Sequence, residues 1–225
     1  MKNKKSKVWF VIGICCLLGA IGLSAFNVWD SKRAGESVEK VAEVMIEELP
    51  KVRESETILS TAEEDLIDLA EYEIPDYILN PDMEMPKTKV DGQEYIGVVE
   101  IPALSLTLPV ISECDDEKLK ISPCRYMGSA YTNDLILSGH SYKTHFRYIR
   151  TLDIGNSVIF TDMDGNRFEY EVCGIEVIPE TNVEQMEVGE WDLSLFTCTY
   201  DGNSRHTVRC KLVSDANRWA GFSAK

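Results

Sequence analysis

Two short apolar runs in this chain end in residues that can do chemistry. Ser194-Leu195-Phe196-Thr197-Cys198-Thr199 runs into a thiol, Gly202 follows, and Arg205 opens the next run. Upstream, Leu135-Ile136-Leu137-Ser138-Gly139-His140 runs into an imidazole. A cysteine attacks only as its thiolate, and its ordinary pKa is about 8.5. A neighbouring imidazole can take the proton, and a guanidinium favours the anion. Acyl transfer also needs a donor for the developing oxyanion, which arginine can supply. Taken singly, each residue has a plainer explanation. A strand cysteine is most often a small buried hydrophobe, and an isolated arginine is most often a surface residue. The three chemical roles at two strand ends give the combination its meaning.

The chain has only three histidines. His145 falls in an expected helical turn and is predicted to lie at the surface. His206 directly follows Arg205, and adjacent strand side chains point to opposite faces. If Arg205 faces the thiol, His206 faces away, which leaves His140 as the base.

These residues sit within a β-rich region. From Tyr95 onward, short runs of Val, Ile, Phe, Tyr and Thr alternate with turn residues. Strands are predicted at Tyr95–Ile101, Leu106–Ile111, Asp134–Ser138, Ser157–Thr161, Phe168–Ile178, Leu193–Cys198 and Thr207–Val213. Asp164-Gly165, between Phe160 and Phe168, signals a hairpin. Short helical turns are expected at Glu117–Ile121 and Thr144–Arg150. So many short strands predict a sandwich or a closed barrel, and closure removes exposed edges.

The segment before the β region differs. Lys2, Lys4, Lys5 and Lys7 precede an uncharged run from Val8 to Val28. As a helix, about 20 such residues cross the roughly 30 Å hydrocarbon core of a bilayer. Lysines on the N-terminal side place that end in the cytoplasm and the rest outside. Residues 1–28 therefore read as a cytoplasmic tail and single-pass anchor. A cleavable signal peptide is the competing reading, with a weak cleavage site at Leu23-Ser24-Ala25. Residues 29–92 read as an acidic helical stalk and linker. Val38, Val41, Val44 and Met45 recur at helical spacing, and Ser60 with Glu63 resembles a capping box opening a second helix beyond Pro50. The expected catalytic domain is 93–215, with a C-terminal tail at 216–225.

The formal net charge is -15, and Asp and Glu number 38 against 23 Lys and Arg. Such an acidic surface argues against nucleic acid as a partner. Of seven cysteines, Cys15 and Cys16 lie in the anchor. Five remain outside it, an odd number, so at least one exported thiol has no partner within the chain. No CxxC or His/Cys cluster has zinc spacing. The acidic turn Asp162-x-Asp164-Gly165 has its glycine too early for an EF-hand loop. No cofactor or metal is expected.

The ordered set of motifs resembles the sortase family. Sortases carry a Thr-Leu-x-Thr-Cys strand, an upstream His after an apolar strand and Gly, and a downstream Arg on the following strand. Here the strand reads Ser194-Leu195-Phe196-Thr197-Cys198, with Ser in place of the first Thr. His140 lies 58 residues before the cysteine and Arg205 seven after it. Tyr95-Ile96-Gly97-Val98-Val99-Glu100-Ile101-Pro102 resembles the family's opening strand, and Leu152-Asp153-Ile154-Gly155-Asn156-Ser157-Val158 the segment after its His. The resemblance spans about residues 95–213 and implies a closed eight-stranded β-barrel with short helices, behind an N-terminal transmembrane helix and stalk.

It also implies a mechanism. Cys198 attacks the Thr-Gly bond of a Leu-Pro-x-Thr-Gly-like sorting signal, His140 protonates the departing amine, Arg205 steadies the oxyanion, and Thr197 helps to position substrate. The implied partners are surface proteins with a C-terminal sorting signal and an amine from a cell-wall precursor or a pilin. The 58-residue interval leaves little room for a class B helical insertion. Asn80-Pro81-Asp82-Met83 does not match the Asp-Pro-aromatic lid of pilus enzymes. A compact, class D-like enzyme fits best. Two other readings carry weight: an exported cysteine hydrolase that passes acyl groups to water, and a non-catalytic surface module with a buried Cys198. A papain-like protease has its Cys before its His, the reverse of the order here.

Overall fold

A computed structural model describes residues 2–48, 75–199 and 202–213. The second expected helix, with Ser60 and Glu63, lies outside these residues, as does Pro50.

The described residues form nine strands: β1 (Thr88–Val90), β2 (Gln93–Ile101), β3 (Leu106–Ile111), β4 (Cys124–Met127), β5 (Leu135–Ser138), β6 (Ser157–Asp162), β7 (Arg167–Pro179), β8 (Leu193–Cys198) and β9 (Ser204–Leu212). Their order is β1-β2-β3-β4-β5-β8-β9-β7-β6, and β6 pairs back onto β2. The eight strands β2 to β9 thus close into a barrel, and β1 adds to the free end of β2. Neighbours are antiparallel except β3 with β4 and β5 with β8. The fold is mostly β, as the residue pattern implied. The predicted hairpin forms at Gly165, whose positive φ of 83° suits glycine.

Alternation along the strands builds the interior. Leu135 and Leu137 of β5, Phe168, Tyr170 and Val172 of β7, Leu193 and Leu195 of β8, and Val208 and Cys210 of β9 all belong to the main core. The intervening residues face outward. Ile136, Ile178, Met186 and Phe196 make a separate small cluster on the outer face of β5, β7 and β8. There the short helix α4 (Val183–Glu187) lies across the sheet.

Helix α1 spans Lys2–Glu48 without a break. Its first part is apolar and exposed: Trp9 is 72%, Leu17 64% and Leu23 66% accessible. It contains the one helix among the described residues long and apolar enough to cross a membrane. Its second part packs on the barrel. Ala34, Val38, Val41, Ala42 and Met45 form a buried stripe at helical spacing. Val41 and Met45 join Tyr95, Val98, Ile111 and Cys124 in a second cluster against β2 to β4. Two further short helices, α2 (Asp76–Leu79) and α3 (Asp116–Leu119), flank the barrel. Asp115 caps α3 by accepting from the Glu117 and Lys118 amides.

Candidate active site

Cys198 ends β8 and is exposed. In the antiparallel β8–β9 pair it stands directly opposite Arg205, while Thr197 stands opposite His206. Directly paired residues share a face with Cβ atoms about 5 Å apart. Cys198 and Arg205 therefore share the outer face, and Thr197 and His206 share the other. The Arg205 guanidinium lies over the Phe196 ring at 5.9 Å and within 4.0 Å of Glu180.

These side chains line a groove of about 250 Å³. Ser138, Phe196, Val183, Met186, Cys114 and Leu119 add to its lining. The α4 wall is held from below by Arg209, which is 2% exposed. Arg209 donates to the Gln185 carbonyl at 2.6 Å, the Met186 carbonyl at 3.1 Å, Ser194 Oγ at 2.8 Å and Glu176 Oε1 at 2.8 Å. Sequence reading passed over Arg209, because a buried arginine on a strand has no signature of its own.

His140 follows β5. The parallel β5–β8 register pairs Ser138 with Phe196, and the Gly139 amide continues the ladder to the Phe196 carbonyl at 3.0 Å. One step further, His140 comes level with the end of β8. Gly139 is required at this turn, since a Cβ there would run into the ring of buried Phe146. The imidazole is half-buried, and its Nδ1 has no hydrogen-bond partner among the described residues. Tyr142 stacks on it with ring centroids 3.9 Å apart and planes at 16°. His140 lines a second cavity with α1 rather than the Cys198 groove. Burial pushes its pKa below the ordinary value, and the nearby Asp30 carboxylate opposes that shift.

Thr197 lies on the same strand face as Leu193 and Leu195. It is 1% exposed, and its hydroxyl has no hydrogen-bond partner among the described residues. His206 is half-buried on the face opposite Arg205.

His145 is not at the surface. It is 0% exposed, and neither ring nitrogen has a hydrogen-bond partner among the described residues. Burial lowers its pKa to about 4, with His140 adding to the shift. Periodicity failed there because the residue precedes a 3-10 turn folded back onto the barrel. Cys114, not singled out from the sequence, places a second thiol in the groove. A hydrogen bond from the fully buried Cys124 lowers its pKa, and the same contact pushes Cys124 up.

The site thus sets an exposed thiol opposite an arginine at the end of β8, on a closed barrel, with a histidine two residues beyond the neighbouring strand β5. The Sortase domain family model matches residues 99–213, which is 115 of the 225 residues, and the chain belongs to the sortase family of cysteine transpeptidases. It is similar to sortase A of Bacillus anthracis, with 26% identity over 162 residues covering 67% of this chain and 73% of that protein. It is also similar to sortase D of Bacillus subtilis (strain 168), with 27% identity over 128 residues covering 52% of this chain and 64% of that relative. Among solved structures it resembles a Clostridium perfringens sortase D5 transpeptidase at 20% identity and TM-score 0.47, covering 53% of this chain and 79% of that one. Streptococcus suis sortase C1 matches at 24% identity and TM-score 0.47, covering 53% and 73%.

Proposed function

We propose that this transpeptidase cleaves a C-terminal sorting signal of the Leu-Pro-x-Thr-Gly type and joins the released carboxyl end to an amine. The Cys198 thiolate adds to the Thr carbonyl, and the C–N bond to Gly breaks. His140, as imidazolium, gives its proton to the departing amine. The thioacyl enzyme is then attacked by a second amine, from a cell-wall precursor or a pilin lysine. His140 takes that amine's proton, and the thiolate leaves. Arg205 donates to the tetrahedral oxyanion in both halves. Thr197, enclosed beneath the groove, contributes by fixing the end of β8 and presenting its main chain to the substrate.

The observation that carries this reading is the direct pairing of exposed Cys198 with Arg205 across β8 and β9. The apolar helix suits a bilayer anchor, with Lys2 to Lys7 on the cytoplasmic side and the 93–215 domain outside. The compact His140–Cys198 interval supports a class D-like enzyme.

The test incubates the full chain with a library of pentapeptide signals, with and without an added amine. Mass spectrometry should find an acyl adduct on Cys198, resolved to a joined peptide when the amine is present. An adduct that passes only to water, whatever the amine, would make the protein a hydrolase. A chain that forms no adduct with any signal would remove the sortase substrate from this reading.

A further inference from the structure

The N-terminal helix reaches the catalytic histidine. Asp30 lies two residues beyond the uncharged run that ends at Val28. The Tyr142 hydroxyl donates to Asp30 Oδ2 at 2.5 Å, and the Tyr142 ring is the one stacked on His140. The other Asp30 oxygen accepts from Arg33 at 3.2 Å, which fixes the carboxylate. Close approach depends on Gly35, where a methyl group would come 2.7 Å from Thr144 Cγ2. Further along, Val38, Val41 and Met45 pin the helix to the barrel. The loop itself is tied down, with Arg147 Nε donating to the Ser141 carbonyl at 2.9 Å. A cavity of about 520 Å³ between helix and loop is lined by Asn27, Val28, Asp30, His140, Tyr142 and Arg147.

We infer that Asp30 and Tyr142 are positioning residues for the sortase reaction, through which the anchor helix orients and charges the His140 imidazole. The inference rests on His140 being the acid–base group proposed above. Two effects combine. The tied Tyr142 ring holds the imidazole plane, leaving His140 fewer orientations in which it misses the amine. The Asp30 carboxylate favours the imidazolium that must protonate the leaving amine. It works against burial and against Lys120 and Arg147, with Asp116 on its side. His145 stands behind His140, and Cys198 and Arg205 stand on the adjoining strands. Tyr142 stays a donor, because burial and the bond to Asp30 push its own pKa up to about 12. The segment that anchors the chain is thereby part of the active site.

The test uses the full chain in lipid nanodiscs with isotope-labelled histidine, comparing Asp30→Asn, Asp30→Glu, Tyr142→Phe and the Asp30→Asn/Tyr142→Phe double variant. NMR titration follows His140 directly, and kcat/KM is measured across pH on one signal peptide. In Asp30→Asn the His140 titration should move to lower pH. Its kcat/KM at pH 7 should fall by up to about tenfold, the change in protonated fraction for one pKa unit. Asp30→Glu should recover part of both. The double variant should be no worse than its poorer single parent, since both act through one contact. An unmoved His140 titration, additive losses, or a rise in activity would each overturn the inference; a rise would mean that the helix restrains the site. His140→Ala in the same assay separates the two claims. If it stays active, the acid–base assignment fails, whereas the titration still reports whether the helix controls His140.

Discussion

His145→Leu offers a sharp test of which histidine does what. The His145 ring is fully enclosed, and both nitrogens lack partners. Its pKa falls from 6.5 to about 4 in the folded chain. A folded-state pKa below the unfolded one means that the unfolded chain binds the proton more tightly. Above pH 6.5 neither state is protonated, and the folded state keeps its full stability. As pH falls from 6.5 towards 4, unfolding gains a proton and stability is lost. A shift of about 2.5 units at 1.36 kcal/mol each is worth about 3 kcal/mol, of which most is already lost by pH 4.5. His145→Leu removes this titration and two unpaired buried nitrogens while keeping an apolar side chain. The assay is urea unfolding of the purified chain and the variant at pH 7 and pH 4.5, with kcat/KM at pH 7. The wild type should lose about 2–3 kcal/mol more than the variant over that interval. The variant should keep activity within a few-fold, because His145 is neutral at pH 7 and closed off from substrate. Parallel acid losses in the two chains would refute the enclosed, neutral His145. An inactive His145→Leu that folds normally would refute the choice of His140.

Three further outcomes are expected. Arg205→Lys should lower kcat/KM by about 10²–10³-fold with little change in stability, because one ammonium cannot replace the planar fork beside the oxyanion; near-normal kinetics would reduce Arg205 to a mere charge. Arg209→Met should cost about 1–3 kcal/mol in chemical unfolding, since it leaves the Met186 carbonyl and the Ser194 hydroxyl without their buried donor, and should raise KM by loosening α4; unchanged unfolding would show that α4 is held by other contacts. A chain starting at residue 93 should be less stable than one starting at 75, because it lacks Met85, which is 2% exposed, and Tyr77, stacked on Tyr131 at 4.7 Å. Equal thermal midpoints would place both residues outside the cooperative unit.

Much of the scaffold was legible because it rests on local rules. Runs rich in Val, Ile, Phe, Tyr and Thr marked β2, β3, β5, β6, β7, β8 and β9. The Asp164-Gly165 turn required a positive φ that few residues accept. A separation of seven residues brings Arg205 back opposite Cys198. Mostly β architecture and an apolar first helix follow from composition and pattern alone. Strands β1 and β4 were not read, because Thr88-Lys89-Val90 and Cys124-Arg125-Tyr126-Met127 lack the apolar run that marked β5.

Tertiary structure decided what depends on distant segments meeting. The change from apolar to acidic residues near Val28 suggests a boundary, yet the helix crosses it, because helix continuity depends on backbone bonds four residues apart and not on charge. His145 became buried through the folding of its loop onto the barrel, and Arg209 became a brace through carbonyls of a different element. Asp30 and Tyr142 lie 112 residues apart, so no window of sequence joins them. Cys198, His140 and Arg205 were visible as chemical types at strand ends. The groove that Cys198 and Arg205 border, and the cavity between His140 and α1, exist only because closure of the barrel and docking of α1 bring remote segments together.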